Sequence, residues 1–111
     1  MLNKIQINEL LDYYGALLTE KQQAICSYCF REDYSYQEIA DLMGISRAAV
    51  YDTVKRCTEE LNRYESILHL AAAYRERMQL YKQIASLTDD DKICQLLDKL
   101  KEIDIEGGNF N

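Results

Sequence analysis

Residues 34–56 read YSYQEIADLMGISRAAVYDTVKR, and the fold turns on this stretch. Ser35 followed three residues later by Glu38 is a capping box: each side chain satisfies a backbone amide of the other at a helix start. A short helix then carries Ile39, Leu42 and Met43 inward. Gly44 stops it, because glycine enters the left-handed region without a Cβ penalty. Ser46 caps the next helix. A helix-turn-helix needs a small residue where its helices cross, a turn residue four positions later, and apolar residues pinning the pair. Ala40, Gly44, and the set Ile39, Met43, Ile45, Val50 and Val54 supply all three.

The same grammar extends outward. Ile7, Leu10, Leu11, Tyr14, Leu17 and Leu18 recur at three- and four-residue spacing, predicting a helix over residues 4–18. Thr19 with Gln22 is a second capping box, opening a helix over 20–31 that buries Ile25, Tyr28 and Cys29 beside Phe30. Beyond the motif, Val50, Val54, Cys57, Leu61, Tyr64, Leu68 and Ala71 keep a four-three rhythm of heptad type. Arg75 interrupts the seam, which gives way to Tyr74, Met78, Tyr81 and Ile84. Read as continuous, this helix covers 47–86 and is roughly 60 Å long. Thr88 is placed to cap a last helix, with Asp89, Asp90 and Asp91 where acids suit the dipole. Its stripe is Ile93, Leu96, Leu97, Leu100 and Ile103, and a frayed tail is expected from Ile105 on. The fold class is therefore all-α with five helices. Residues 1–65 form a helix-turn-helix domain, and 66–111 form a C-terminal helical extension.

With 111 residues, no proline and only four glycines, little punctuates the chain, which favours long helices. No apolar run is long enough to span a bilayer, and the N-terminus lacks a secretory pattern, so the expected location is the cytoplasm. Four cysteines occur: Cys26, Cys29, Cys57 and Cys94. Cys26 and Cys29 have C-x-x-C spacing, but zinc wants a second close pair, and His69 is the lone histidine. Reduced thiols acting as small apolar residues is the stronger reading. No metal, cofactor or catalytic set is expected. His69 sits in LHLAA without a motif around it.

The second helix of such a unit presents its N-terminal residues to base edges. The candidate nucleic-acid contacts are Ser46, Arg47, Ala48, Tyr51, Lys55 and Arg56, with Asp52 exposed among them. Arg47 suits a guanine edge, Lys55 and Arg56 suit phosphates, and Tyr51 suits a sugar or a thymine methyl. Charge opposes this. The chain carries a formal −6, and residues 46–65 hold four cations against four acids. Pairing of Asp52 with Arg56, Lys55 with Glu59 and Glu59 with Arg63 would leave few counterions to release from DNA.

Residues 9–65, above all LLTEKQ, DYSYQEIAD and ISRAAVYDTVKR, resemble the YlxM-type family of small bacterial helix-turn-helix proteins, whose wider relatives are the region 4 domains of sigma factors. The resemblance implies a sigma region 4-like bundle and a DNA-binding protein without enzymatic activity. It also implies a regulatory link to the signal recognition particle pathway, beside whose components such proteins tend to be encoded. DNA, or protein or RNA components of that particle, are the implied partners.

A 40-residue helix exceeds what the rest of the chain can cover. Ile67, Leu70, Ala71, Tyr74, Met78 and Tyr81 are therefore expected to meet a second copy, giving a homodimer.

Overall fold

The computed structural model describes residues 3–108, and among them all regular structure is helical. Helix α1 spans Lys4–Tyr14 and tightens into a 3₁₀ turn at Gly15–Leu17. Helix α2 spans Glu20–Cys26 and widens into a π turn at Ser27–Arg31. Next come α3, Tyr36–Met43, and α4, Arg47–Leu68. Helices α5, Leu70–Ser86, and α6, Asp91–Gly108, complete the chain. The molecule measures 58 × 24 × 20 Å.

The starts form where local chemistry dictates. Thr19 Oγ1 accepts from Gln22 N and Gln22 Oε1 from Thr19 N. Ser35 and Glu38 repeat the exchange at α3, and Asn3 with Gln6 makes a third capping box at α1, one the sequence reading did not anticipate. Gly44 is left-handed at φ 67° and returns its amide to Ala40 O. At α6 the cap moves: Asp90 Oδ1 accepts from Lys92 N at 2.8 Å, while Thr88 Oγ1 accepts from Asp90 N. Thr88 thus shapes the loop and Asp90 caps the helix. Helix α6 continues to Gly108, so helix replaces the tail expected from Ile105. Residues 109–111 lie outside the described residues.

The largest departure is at His69. The expected 40-residue helix is two helices, because His69 adopts φ 55°, ψ 28° and breaks the helix there. The turn is held from a distance. The Glu65 carboxylate accepts from the amides of Ala71 at 3.0 Å and Ala72 at 3.1 Å. Tyr14 Oη donates to Glu65 at 2.6 Å and accepts from Leu70 N at 3.1 Å. These partners satisfy three of the amides that a helix start leaves free. They offset the roughly 1 kcal/mol that a left-handed non-glycine residue costs. Among the described residues six α-helices result where five helices were expected.

Two buried clusters make the core. Ile7, Leu10, Leu11 and Tyr14 of α1 pack with Cys26, Cys57, Leu61 and Ala71. Ile25, Ile39, Ala40, Val50 and Val54 form the other, under the helix-turn-helix. Cys26 and Cys57 are each 0 % exposed. The hydrogen bond to Cys57, together with burial, pushes the Cys26 thiol up, and the same bond pulls the Cys57 thiol down against its burial; full burial is what makes both small apolar side chains. All four cysteines are free. Two inward assignments fail: Leu17 is 56 % and Leu42 58 % exposed. Leu17 lies in the 3₁₀ turn, which breaks the 3.6-residue period. Leu42 sits in the last turn of an eight-residue helix whose Ile39–Ala40 face already fills the contact.

Candidate nucleic-acid interface

The helix-turn-helix pair is α3 and α4. Its crossing point is Ala40, 3 % exposed, which leaves room for the helices to approach. The turn closes through Ile45 N to Ala40 O at 3.1 Å. Ser46 Oγ accepts from Ala49 N at 3.0 Å, fixing where α4 begins. Val50 at 0 % and Val54 at 6 % exposure seat its inner face. The outer face is therefore held in a fixed orientation rather than presented on a loop.

Each candidate contact lies on that outer face. Ser46, Arg47, Ala48, Tyr51, Lys55 and Arg56 are all exposed, as is Asp52. Tyr51 meets the ring of Tyr36 edge-on at 6.0 Å and 71°. Tyr36, Arg47, Ala48 and Tyr51 line an open groove of ≈ 540 Å³ beside the helix start. Burial raises the pKa of the Tyr36 phenol. A second, largely apolar groove of ≈ 300 Å³ runs between Phe30, Tyr36, Tyr51, Val54 and Lys55. This aromatic edge to the site went unnoticed in the sequence, although four tyrosines within residues 28–51 were a visible signal.

The anticipated pairing of the cations does not occur. Among the described residues the ion pairs are Lys4–Asp33, Arg31–Asp12, Arg75–Glu9 and Arg77–Asp104. Arg47, Lys55 and Arg56 join none of them, and neither do Asp52 and Glu59. Exposed i,i+4 pairs gain only tenths of a kcal/mol, too little to hold two long side chains together. Arg63, expected to pair with Glu59, lies over the Tyr64 ring instead, 5.5 Å from its centroid. Glu65, counted among the acids of this helix, is committed to the start of α5. The recognition face thus offers three cations without carboxylate partners.

The residues assigned to contact between copies scatter. Ala71 is 1 % exposed and belongs to the core against α1, so it is not on the free surface. Tyr74 rests on Tyr13 with centroids 6.1 Å apart, and Tyr81 Oη donates to Asp104 at 2.9 Å. Met78 is half-buried, while Ile67 and Leu70 are exposed. The break at His69 causes this, since it turns α5 back onto α1.

No described group of three or more His, Cys, Asp or Glu side chains is placed to hold a metal ion. No described helix is long and apolar enough to cross a membrane.

Comparison with known proteins agrees with this geometry. The profile of the UPF0122 family, described as "Putative helix-turn-helix protein, YlxM / p13 like", matches residues 1–103. A UPF0122 protein of Oceanobacillus iheyensis is 40 % identical over 105 residues, covering 94 % of this chain and 100 % of the relative. One from Listeria monocytogenes is 40 % identical over 104 residues, covering 89 % of this chain and 94 % of the relative. One from Clostridium perfringens is 37 % identical over 109 residues, covering 93 % and 97 %. With its helix-turn-helix built as described and near-complete coverage by these relatives, the chain belongs to the UPF0122 family of YlxM / p13-like proteins.

Proposed function

We propose that the protein is a cytoplasmic, non-enzymatic DNA-binding regulator that reads duplex DNA with α4. One observation carries this reading. Arg47, Lys55 and Arg56 stand exposed and without ion pairs on the face of a helix whose opposite face is locked in the core. Arg47 at the first turn is the base reader, Tyr51 the contact for a sugar or thymine methyl, and Lys55 and Arg56 the phosphate anchors. Binding is weak, because the chain carries −6 overall. Two copies per site belong to this reading, since recognition helices act in pairs on half-sites.

The test is anisotropy of a labelled random-sequence duplex against salt. Replacing Lys55 and Arg56 by alanine is expected to flatten the log-affinity against log-salt slope by roughly two. An affinity indifferent to salt and to both substitutions refutes the DNA reading.

A second reading keeps the fold and changes the partner: a docking module for a protein or RNA component of the signal recognition particle pathway. The acidity favours it, because Glu59 and Glu60 flank Arg56 and Arg63 in one shallow groove of α4. Pull-down from lysate with and without nuclease separates the two.

A further inference from the structure

Helices α5 and α6 form an antiparallel hairpin clasped through Asp104. Its carboxylate accepts from Arg77 Nε at 3.1 Å and from Tyr81 Oη at 2.9 Å. That clasp and Leu97, 5 % exposed, mark the line along which the helices touch. Beside the line lie two bare stripes. On α5 and just past its end, Leu80, Ile84 and Leu87 are 48 %, 44 % and 85 % exposed. On α6, Ile93, Leu96, Leu100 and Ile103 are 38 %, 60 %, 42 % and 64 % exposed. At about 100° per residue each stripe is rotated from its own contact line in the same sense. In an antiparallel pair that rotation puts both stripes on one face of the hairpin. Among its described side chains α6 buries Leu97 alone. A helix of its length normally owes its stability to a buried apolar face.

We propose that this face seats a second copy of the chain, two hairpins stacking into a four-helix bundle. Seven large aliphatic side chains offer on the order of 600 Å² per copy, near the area each partner of a standard interface covers and at the upper end for a monomer's largest patch. Charge selects the occupant. Residues 70–104 hold six basic and seven acidic residues, so nearly all of the −6 lies elsewhere. Two hairpins therefore meet without the repulsion that other surfaces of two acidic chains would impose. A two-fold contact is self-complementary, as one patch meeting its own copy requires. The interface thus moves from the α5 seam to the outer face of α5 and α6.

This deepens the two-copy part of the regulator reading. Oligomeric state is measured without DNA, so the two claims fail separately. Sedimentation equilibrium of the full chain at micromolar concentrations is expected to give the mass of two chains. Leu96→Glu with Leu100→Glu is expected to weaken association by roughly 100-fold, as charges at the centre of an interface do, with helicity by circular dichroism unchanged. A wild-type monomer overturns the proposal, whether or not it then binds neutral vesicles. So does a helical double variant that still dimerises. Should the variant lose helicity, the wild type decides: its thermal midpoint rises with protein concentration if folding is coupled to dimerisation, and a midpoint independent of concentration overturns the proposal.

Discussion

The two halves of the molecule spend their apolar residues in opposite ways. Among the described residues, fifteen apolar side chains are buried; thirteen precede residue 62, and only Ala71 and Leu97 follow it. Of the fourteen large apolar residues left exposed among those described, ten lie at Ile67 or beyond. Yet the helices of both halves are amphipathic in sequence. The helix-turn-helix half closes on itself because α1, α2 and α3 surround α4 on several sides. Among the described residues nothing covers the outer face of the hairpin. Amphipathicity therefore marks a face that wants covering, while the fold decides whether the same chain covers it.

The strongest way to break the comparison is one substitution at two leucines. Leu61 is 0 % exposed in the main core and Leu97 5 % exposed in the hairpin. Leu61→Ala is expected to cost about 3 kcal/mol of global stability by urea denaturation, within the range for a fully buried leucine. Leu97→Ala should act locally. Amides of α6 exchange faster with solvent, while those of α1 to α4 keep their protection, as separate cooperative units behave. Equal acceleration in both halves would show that they unfold as one.

A smaller effect is expected where the halves join. Tyr14→Phe removes a donor to Glu65 and an acceptor for Leu70 N, and is expected to cost about 1–2 kcal/mol. Glu65 adds a pH signature. Burial pushes its carboxyl up, but the bonds from Tyr14, Ala71 and Ala72 and the nearby Arg75 outweigh it, and its pKa ends below the usual 4.5. A carboxyl depressed in the folded state contributes stability that is present above its unfolded value. That contribution is lost as pH falls through the folded one. The stability gap between wild type and Glu65→Gln should therefore be widest above pH 4.5 and shrink in acid. A gap constant down to about pH 3 would mean that the carboxylate's charge does not hold the turn.

The junction also shows why sequence reading succeeded where it did. The capping boxes at Thr19 and Ser35 and the stop at Gly44 involve groups within four residues of each other, so local spacing reveals them. The turn at His69 depends on Tyr14, 51 residues from Glu65 and 56 from Leu70, and no local signal carries that distance. Leu61, Tyr64, Leu68 and Ala71 even continue the heptad rhythm through the break. The candidate site was legible for the same reason as the caps. Periodicity fixes the inner face of α4, and the outer face follows by elimination. Its free cations were not legible, because pairing depends on rotamers that spacing alone does not set.

The smallest expected effect has the opposite sign and tests whether the break belongs to the fold or to the residue. His69 sits at φ 55°, ψ 28°, where an L side chain crowds its own carbonyl. Glycine there loses the crowding but gives the unfolded chain more freedom to forfeit on folding. The first term is the larger, so His69→Gly should raise stability by about 0.5 kcal/mol. His69→Val, β-branched and worse suited to the left-handed region, should lower it. The pair is informative together. If the turn were a local preference of His69, valine would straighten α4 into α5 and expose Ala71, with a large loss of stability, while glycine, at ease in the left-handed region, would keep it. If Glu65 and Tyr14 impose the turn, valine costs only its own crowding and helix content by circular dichroism stays constant. Modest destabilisation by valine at unchanged helix content therefore supports a junction dictated from α1 and α4. A valine variant with a large loss of stability and altered helix content would count against it.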